Sequence, residues 1–91
     1  MSIEEVVNEE ITLQEFGEML RAVRLGESLR LEDVAEGTGV STTFLSYLEN
    51  GENSPGLPKL KVICEHLGVD FKLAKQAVLN HKIEKLKRKF T

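Results

Sequence analysis

Apolar residues recur along this chain at helical spacings in five successive stretches, each bounded by residues that start or stop helices. Thr12-Leu13-Gln14-Glu15 has the form of a capping box, in which a hydroxyl and a carboxylate satisfy each other's backbone amides. Phe16, Leu20 and Val23 follow on one face and predict a helix over 13–25, with Gly26 and Ser28 at its exit. Leu31, Val34 and Ala35 predict a second helix over 31–36, opened by Glu32 and Asp33 as the helix dipole favours. Gly37-Thr38-Gly39 interrupts it, one glycine supplying a positive φ. Ser41 is an N-cap for a third helix over 42–50, held inward by Phe44, Leu45 and Leu48 and ended by Asn50-Gly51. Pro58 suits the first turn of a fourth helix, whose inward stripe is Leu57, Leu60, Ile63, Cys64 and Leu67 and whose exit is Gly68. Asp70 caps a fifth helix from Phe71. Its first part turns Phe71, Ala74 and Val78 inward, and a second stripe follows at Leu79, Ile83, Leu86 and Phe90. With no hairpin signal, the pattern predicts an all-α, five-helix bundle with an extended C-terminal helix.

A length of 91 residues fits one such domain, and 41% hydrophobic residues without a tryptophan imply an aliphatic core. Cys64 is the only cysteine, so no intramolecular disulfide forms; its apolar helical setting reads as a small buried side chain. His66 lies two residues away, on a different part of the helix, and His81 belongs to no recognisable motif. No metal-ligand cluster, phosphate-binding loop or nucleophile–base pattern is present, which argues against an enzyme and for no cofactor and no metal. Residues 1–10 lack the basic and apolar regions of a signal peptide. No run approaches the ~18 apolar residues of a membrane span, so the expected location is cytoplasmic and away from membranes.

Charge is unevenly distributed. Residues 1–70 carry five basic and fourteen acidic side chains, whereas residues 71–91 carry seven basic and one acidic. Such a split marks either a chain that meets a polyanion or acidic partner at one end, or a solvated basic helix terminus that complements the helix dipole. It divides the chain into an acidic arm (1–11), a helical domain (12–79) and a basic helical extension (80–91). Three readings of the extension stand open: a homodimer seam through Leu79, Ile83, Leu86 and Phe90, a stripe folded onto its own core, or an arm of lysines on a phosphate backbone.

Two short helices around a tight turn at Gly39 have the layout of a helix-turn-helix, with the motif at about 31–50. From Phe16 to Phe71 the chain resembles the lambda-repressor-like domains of the Xre/Cro family. The resemblance is carried by Leu20-Arg21, Arg24, Leu29, Glu32, Val34, Ala35, Gly39-Val40-Ser41, Leu45-Ser46, Leu48-Glu49-Asn50-Gly51, Pro55, Leu57, Leu60 and Leu67-Gly68-Val69. It implies a transcription regulator, a repressor rather than an activator, that binds a double-stranded DNA operator as a homodimer. The third helix would enter the major groove, where each base pair shows a distinct set of donors and acceptors. Carried over by position, Thr42, Thr43, Ser46 and Tyr47 are the base contacts. Arg30, Asn50, Gly51, Asn53, Lys59 and Lys61 are the phosphate contacts, and Arg24 and Glu49 form a structural ion pair.

The chain departs from that family in two places. Arg30 and Leu31 stand where a polar cap and a glutamine often open the second helix. Residues 31–58 contain no lysine or arginine but hold Glu32, Asp33, Glu36, Glu49 and Glu52. Phosphate neutralisation normally supplies much of the affinity for a duplex. A second reading therefore stands beside the first: a protein-interaction module that keeps the fold but binds another regulator.

Overall fold

The computed structural model describes residues 10–52 and 55–89, and among them finds five helices and no strand: α1 (Leu13–Gly26), α2 (Leu31–Thr38), α3 (Thr42–Glu49), α4 (Leu57–Leu67) and α5 (Phe71–Lys89). Side-chain chemistry specifies where most of these helices start. The Thr12 hydroxyl accepts from the Glu15 N–H and the Glu15 carboxylate accepts from the Thr12 N–H, both at 3.0 Å. Ser41 Oγ accepts from the Phe44 N–H at 3.0 Å, and Asp70 Oδ1 accepts from the Lys72 N–H at 2.9 Å. At α2 the cap works in reverse: Arg30 offers no acceptor, and the Asp33 carboxylate instead takes the Arg30 N–H at 2.8 Å. These bonds satisfy amides that a helix start leaves without partners.

Two helix ends differ from the sequence pattern. Gly26 closes α1 as its last helical residue, and the left-handed position falls on Ser28, with φ 60°. Ser28 and Leu29 return their N–H groups to the carbonyls of Leu25 and Arg24 at 2.9 and 3.0 Å, the paired closure of a Schellman turn. The α2 helix runs two residues past Glu36, because Gly37 stays helical and Gly39, at φ 76°, makes the turn. Gly37 faces the imidazole of His66 on α4, an exposed side chain that would have to swing aside for a Cβ there, so this glycine lies at the approach of α2 to α4 rather than at a change of direction.

The core joins Phe16 and Leu20 of α1, Val34 of α2, Leu45 and Leu48 of α3, Leu60, Ile63, Cys64 and Leu67 of α4, and Ala74, Ala77 and Val78 of α5. The α3 helix packs against α1 and α2, while α4 and α5 close the other side against each other and against α1. Leu57 does not join the inward stripe of α4. It is 41% exposed, because the first turn of the helix stands beyond the edge of the core. Ile11 is buried, and its carbonyl accepts from Asn80 Nδ2 at 2.9 Å, so the end of the acidic arm is fastened to α5; the rest of that arm, 1–9, lies outside the described residues.

The α5 helix passes from the domain into its basic extension without a break. Leu79, Ile83 and Leu86 are 50%, 40% and 55% exposed, so this stripe is not folded onto the chain's own core; Phe90 lies outside the described residues.

Close approach of α1 to α3 depends on Gly17. A Cβ at that position would collide with the carbonyl oxygens of Leu48 and Glu49, whereas one at Gly26 would meet nothing. Gly17→Ala is expected to destabilise the protein by about 1–3 kcal/mol through overpacking. Gly26→Ala should be neutral or gain up to about 1 kcal/mol from helix propensity. Urea unfolding of the two variants checks the opposite signs.

Candidate functional site

The outward face of α3 follows from its inward one. Leu45 and Leu48 are buried, which turns Thr43, Tyr47 and Asn50, spaced four and three apart, toward solvent. Tyr47 is 44% exposed and Asn50 is exposed beyond it; Thr42, Thr43 and Ser46 lie beside them on the same short helix. The four residues singled out as base contacts thus occupy adjoining rows of α3, with both threonines in its first turn.

Arg24 and Glu49 set the position of that helix. Arg24 Nε and Nη2 donate to the two Glu49 carboxylate oxygens at 2.7 and 3.0 Å, and Nη1 donates to the Leu29 carbonyl at 2.8 Å. Both side chains are only 9% exposed. One guanidinium therefore joins α1, the turn into α2 and the last residue of α3. Its hydrogen bonds to Glu49 hold the guanidinium above its already high ordinary pKa despite the opposing cost of burial. The third bond, to Leu29, carries no sequence signal, since any residue supplies a carbonyl.

The pairings also change the charge balance around α3. Glu49 is matched by Arg24, and Asp33 by Arg30, whose Nη2 lies 3.4 Å from Oδ1. The backbone amide of Arg30, then its guanidinium, pull the Asp33 carboxyl below the usual range. Of the five carboxylates within 31–58, Glu32, Glu36 and Glu52 stand without an ion pair among the described residues. Arg30, named from sequence as a phosphate contact, is exposed but already engaged with Asp33.

The remaining candidate phosphate contacts differ in how they relate to α3. The Lys59 ammonium sits 4.8 Å from the centre of the Phe44 ring, which ties the start of α4 to α3; Lys61 is exposed on the same helix. Gly51 turns the chain out of α3 at φ 70°, packed where a side chain would strike the backbone of Gln14. Asn53 lies outside the described residues. The sequence pattern gave Gln14 a place in a cap only and gave Gly17 no role. The signal for Gly17 is a lone glycine inside a helical pattern, which costs propensity and so asks for a packing reason.

Burial pushes the Cys64 thiol up to about 11, with Asp70 and Glu65 adding to it, so the reactive thiolate is disfavoured. Among the described residues, no three His, Cys, Asp or Glu side chains are grouped to hold a metal, and no helix is long and apolar enough to cross a membrane.

Residues 15–75 match a family model described as a helix-turn-helix domain, a span that includes Arg24, Glu49 and the whole of α3. No curated protein matches the chain.

Removing Arg24 strands the buried Glu49 carboxylate and the Leu29 carbonyl. Arg24→Ala should lose about 3–5 kcal/mol, with Arg24→Lys intermediate because an ammonium cannot hold both carboxylate oxygens and the carbonyl together. Combined with Glu49→Ala, the loss should be well short of the sum of the two single losses. Denaturant titration of the double-mutant cycle measures that coupling.

Proposed function

The chain belongs to the helix-turn-helix domain family, and we propose that it is a sequence-specific transcription regulator of the Xre/Cro type that reads the major groove of double-stranded DNA with α3. The observation that carries this reading is the outward face of α3, led by Thr42 and Thr43 and continued by Ser46 and Tyr47, on a helix locked to α1 by the buried Arg24–Glu49 pair. Threonine suits base reading twice over, through its hydroxyl and through its methyl against the thymine methyl; tyrosine brings a phenolic donor and acceptor. Arg30, Asn50, Gly51, Lys59 and Lys61 would supply the phosphate contacts, together with Asn53, which lies outside the described residues.

We further propose that the protein acts as a repressor and as a homodimer. The domain (12–79) carries the reading head, and the extension (80–91) carries the seam. Leu79, Ile83 and Leu86 are exposed on a helix of 19 residues, and together with Phe90 they match the heptad-like spacing of paired helices. Two copies would set two copies of α3 about one helical turn, ~34 Å, apart on the duplex.

A second reading, binding of another regulator rather than DNA, is favoured by Glu32, Glu36 and Glu52, which stand without an ion pair among the described residues on a segment with no lysine or arginine. Selection of the purified protein on randomised duplexes at two salt concentrations separates the two. DNA reading predicts an enriched consensus whose affinity falls steeply with salt. On that consensus, Thr43→Ala should cost about 1–3 kcal/mol at one base position. Enrichment of no duplex at either salt rejects DNA reading. Deleting residues 80–91 should convert the sedimenting species from dimer to monomer, and a truncated chain that still sediments as a dimer rejects the seam.

A further inference from the structure

We propose that the end of α5 is a second duplex contact, in which Lys82, Lys85 and Lys89 lie along the phosphates beside the groove that α3 enters. The inference rests on the DNA reading of α3 and adds a surface to it that the helix-turn-helix itself does not contain.

The placement comes first. Burial on α5 ends at Val78, and the helix continues from Leu79 to Lys89 outside the core, roughly 16 Å at the rise of an α-helix. Its direction is fixed at the root. Asn80 donates to the Ile11 carbonyl, and a groove of about 400 Å³ is shared by Thr12, Gln14 and Gly51 on one side and His81, Glu84 and Arg88 of α5 on the other. Gly51 is where the chain leaves α3, so the α5 face of His81, Glu84 and Arg88 stands beside the exit of the reading helix, and Lys82, Lys85 and Lys89 occupy the neighbouring face of the same helix.

The charge comes second. From Leu79 to Lys89 the helix carries Lys82, Lys85, Lys87, Arg88 and Lys89 against the single Glu84. Lys82, Lys85 and Lys89, spaced three and four apart, share one face, all are exposed, and none is in a salt bridge among the described residues. That face borders the Leu79, Ile83 and Leu86 stripe, and Leu86 lines one groove with Lys82, Lys85, Arg88 and Lys89, so a second copy on the stripe would have these lysines at its edge.

The partner follows from complementarity. The segment 31–58 brings no cation to a duplex and Arg30 is shared with Asp33, so the proposed phosphate contacts of the reading head draw unshared charge only from Lys59 and Lys61, against Glu32, Glu36 and Glu52. A duplex presents one charge per ~1.7 Å of axis, and a cationic row of this length faces several phosphates. An acidic peptide would be matched by the same row, but the cation-poor segment that carries α3 calls for neutralisation from elsewhere only where α3 meets a duplex.

The test compares Lys82→Gln/Lys85→Gln/Lys89→Gln with the corresponding triple Arg variant, using the selected duplex and a scrambled duplex of equal length. For the Gln variant, the slope of log affinity against log salt should become shallower by about 2–3, near 0.9 for each phosphate no longer neutralised. Affinity at low salt should fall at least tenfold for both duplexes alike, with base preference unchanged. The Arg variant should bind as the native chain does. A native slope in the Gln variant, with the consensus still bound, overturns this inference alone. Failure of the native chain to bind any duplex overturns it together with the reading of α3.

Discussion

One buried arginine holds α3 in place. The α3 helix has eight residues, about two turns, too short to hold its shape or position unaided. Leu45 and Leu48 fasten it to the core, yet apolar contact alone does not fix its end. Arg24 does so by engaging both Glu49 oxygens and, with its remaining nitrogen, the carbonyl of Leu29. The geometry is specific to a planar guanidinium, whose fork fits a carboxylate and leaves a further donor to spare. Gly17 makes the arrangement possible by letting α1 come up against the last carbonyls of α3. At the other end, the Gly39 turn and the Ser41 cap fix where α3 starts. A helix fixed at both ends presents Thr42, Thr43, Ser46 and Tyr47 in a defined arrangement before any partner arrives, which is the condition for a selective contact at low ordering cost.

The same pairings moderate an electrostatic difficulty. Five carboxylates and no cation within 31–58 describe a poor surface for a polyanion. Two of the five are matched by Arg24 and Arg30, so the adverse charge is smaller than composition suggests. It does not vanish, and the match at Arg30 occupies a cation that the duplex reading also uses. In the proposed complex, the basic end of α5 would supply charge from outside the motif. Affinity and base reading would then fall to different parts of the molecule, consistent with the general division in which phosphate contacts position a protein and base contacts specify its site.

Much of this architecture is legible in the residues, and the exceptions share a cause. All five helices, their caps at Thr12, Ser41 and Asp70, and the exit at Gly68 follow from local chemistry, because spacing and capping act within a few residues. The face of α3 is legible for the same reason: burying Leu45 and Leu48 turns Thr43 and Tyr47 outward. The features that escape a local pattern depend on neighbours distant in sequence. Gly37 resembles a helix stop until His66 of α4 is placed against it. Ser28 takes the left-handed position expected of a glycine because the Arg24 carbonyl draws back the Leu29 amide. Leu57 fits the apolar stripe of α4 by spacing, but the core ends before its turn. The contact of Gly51 with Gln14, and the groove that brings α5 beside it, depend on packing between elements that no local pattern encodes.

If the outward face of α3 meets the duplex, the amides of that helix must sense it. Amide chemical shifts of the isotope-labelled protein, followed as the selected duplex is added, test this residue by residue. Duplex reading by α3 predicts saturating changes concentrated at Thr42, Thr43, Ser46 and Tyr47, with smaller ones at Asn50 and Gly51. Saturation with those amides unmoved and the changes confined to another face would contradict it.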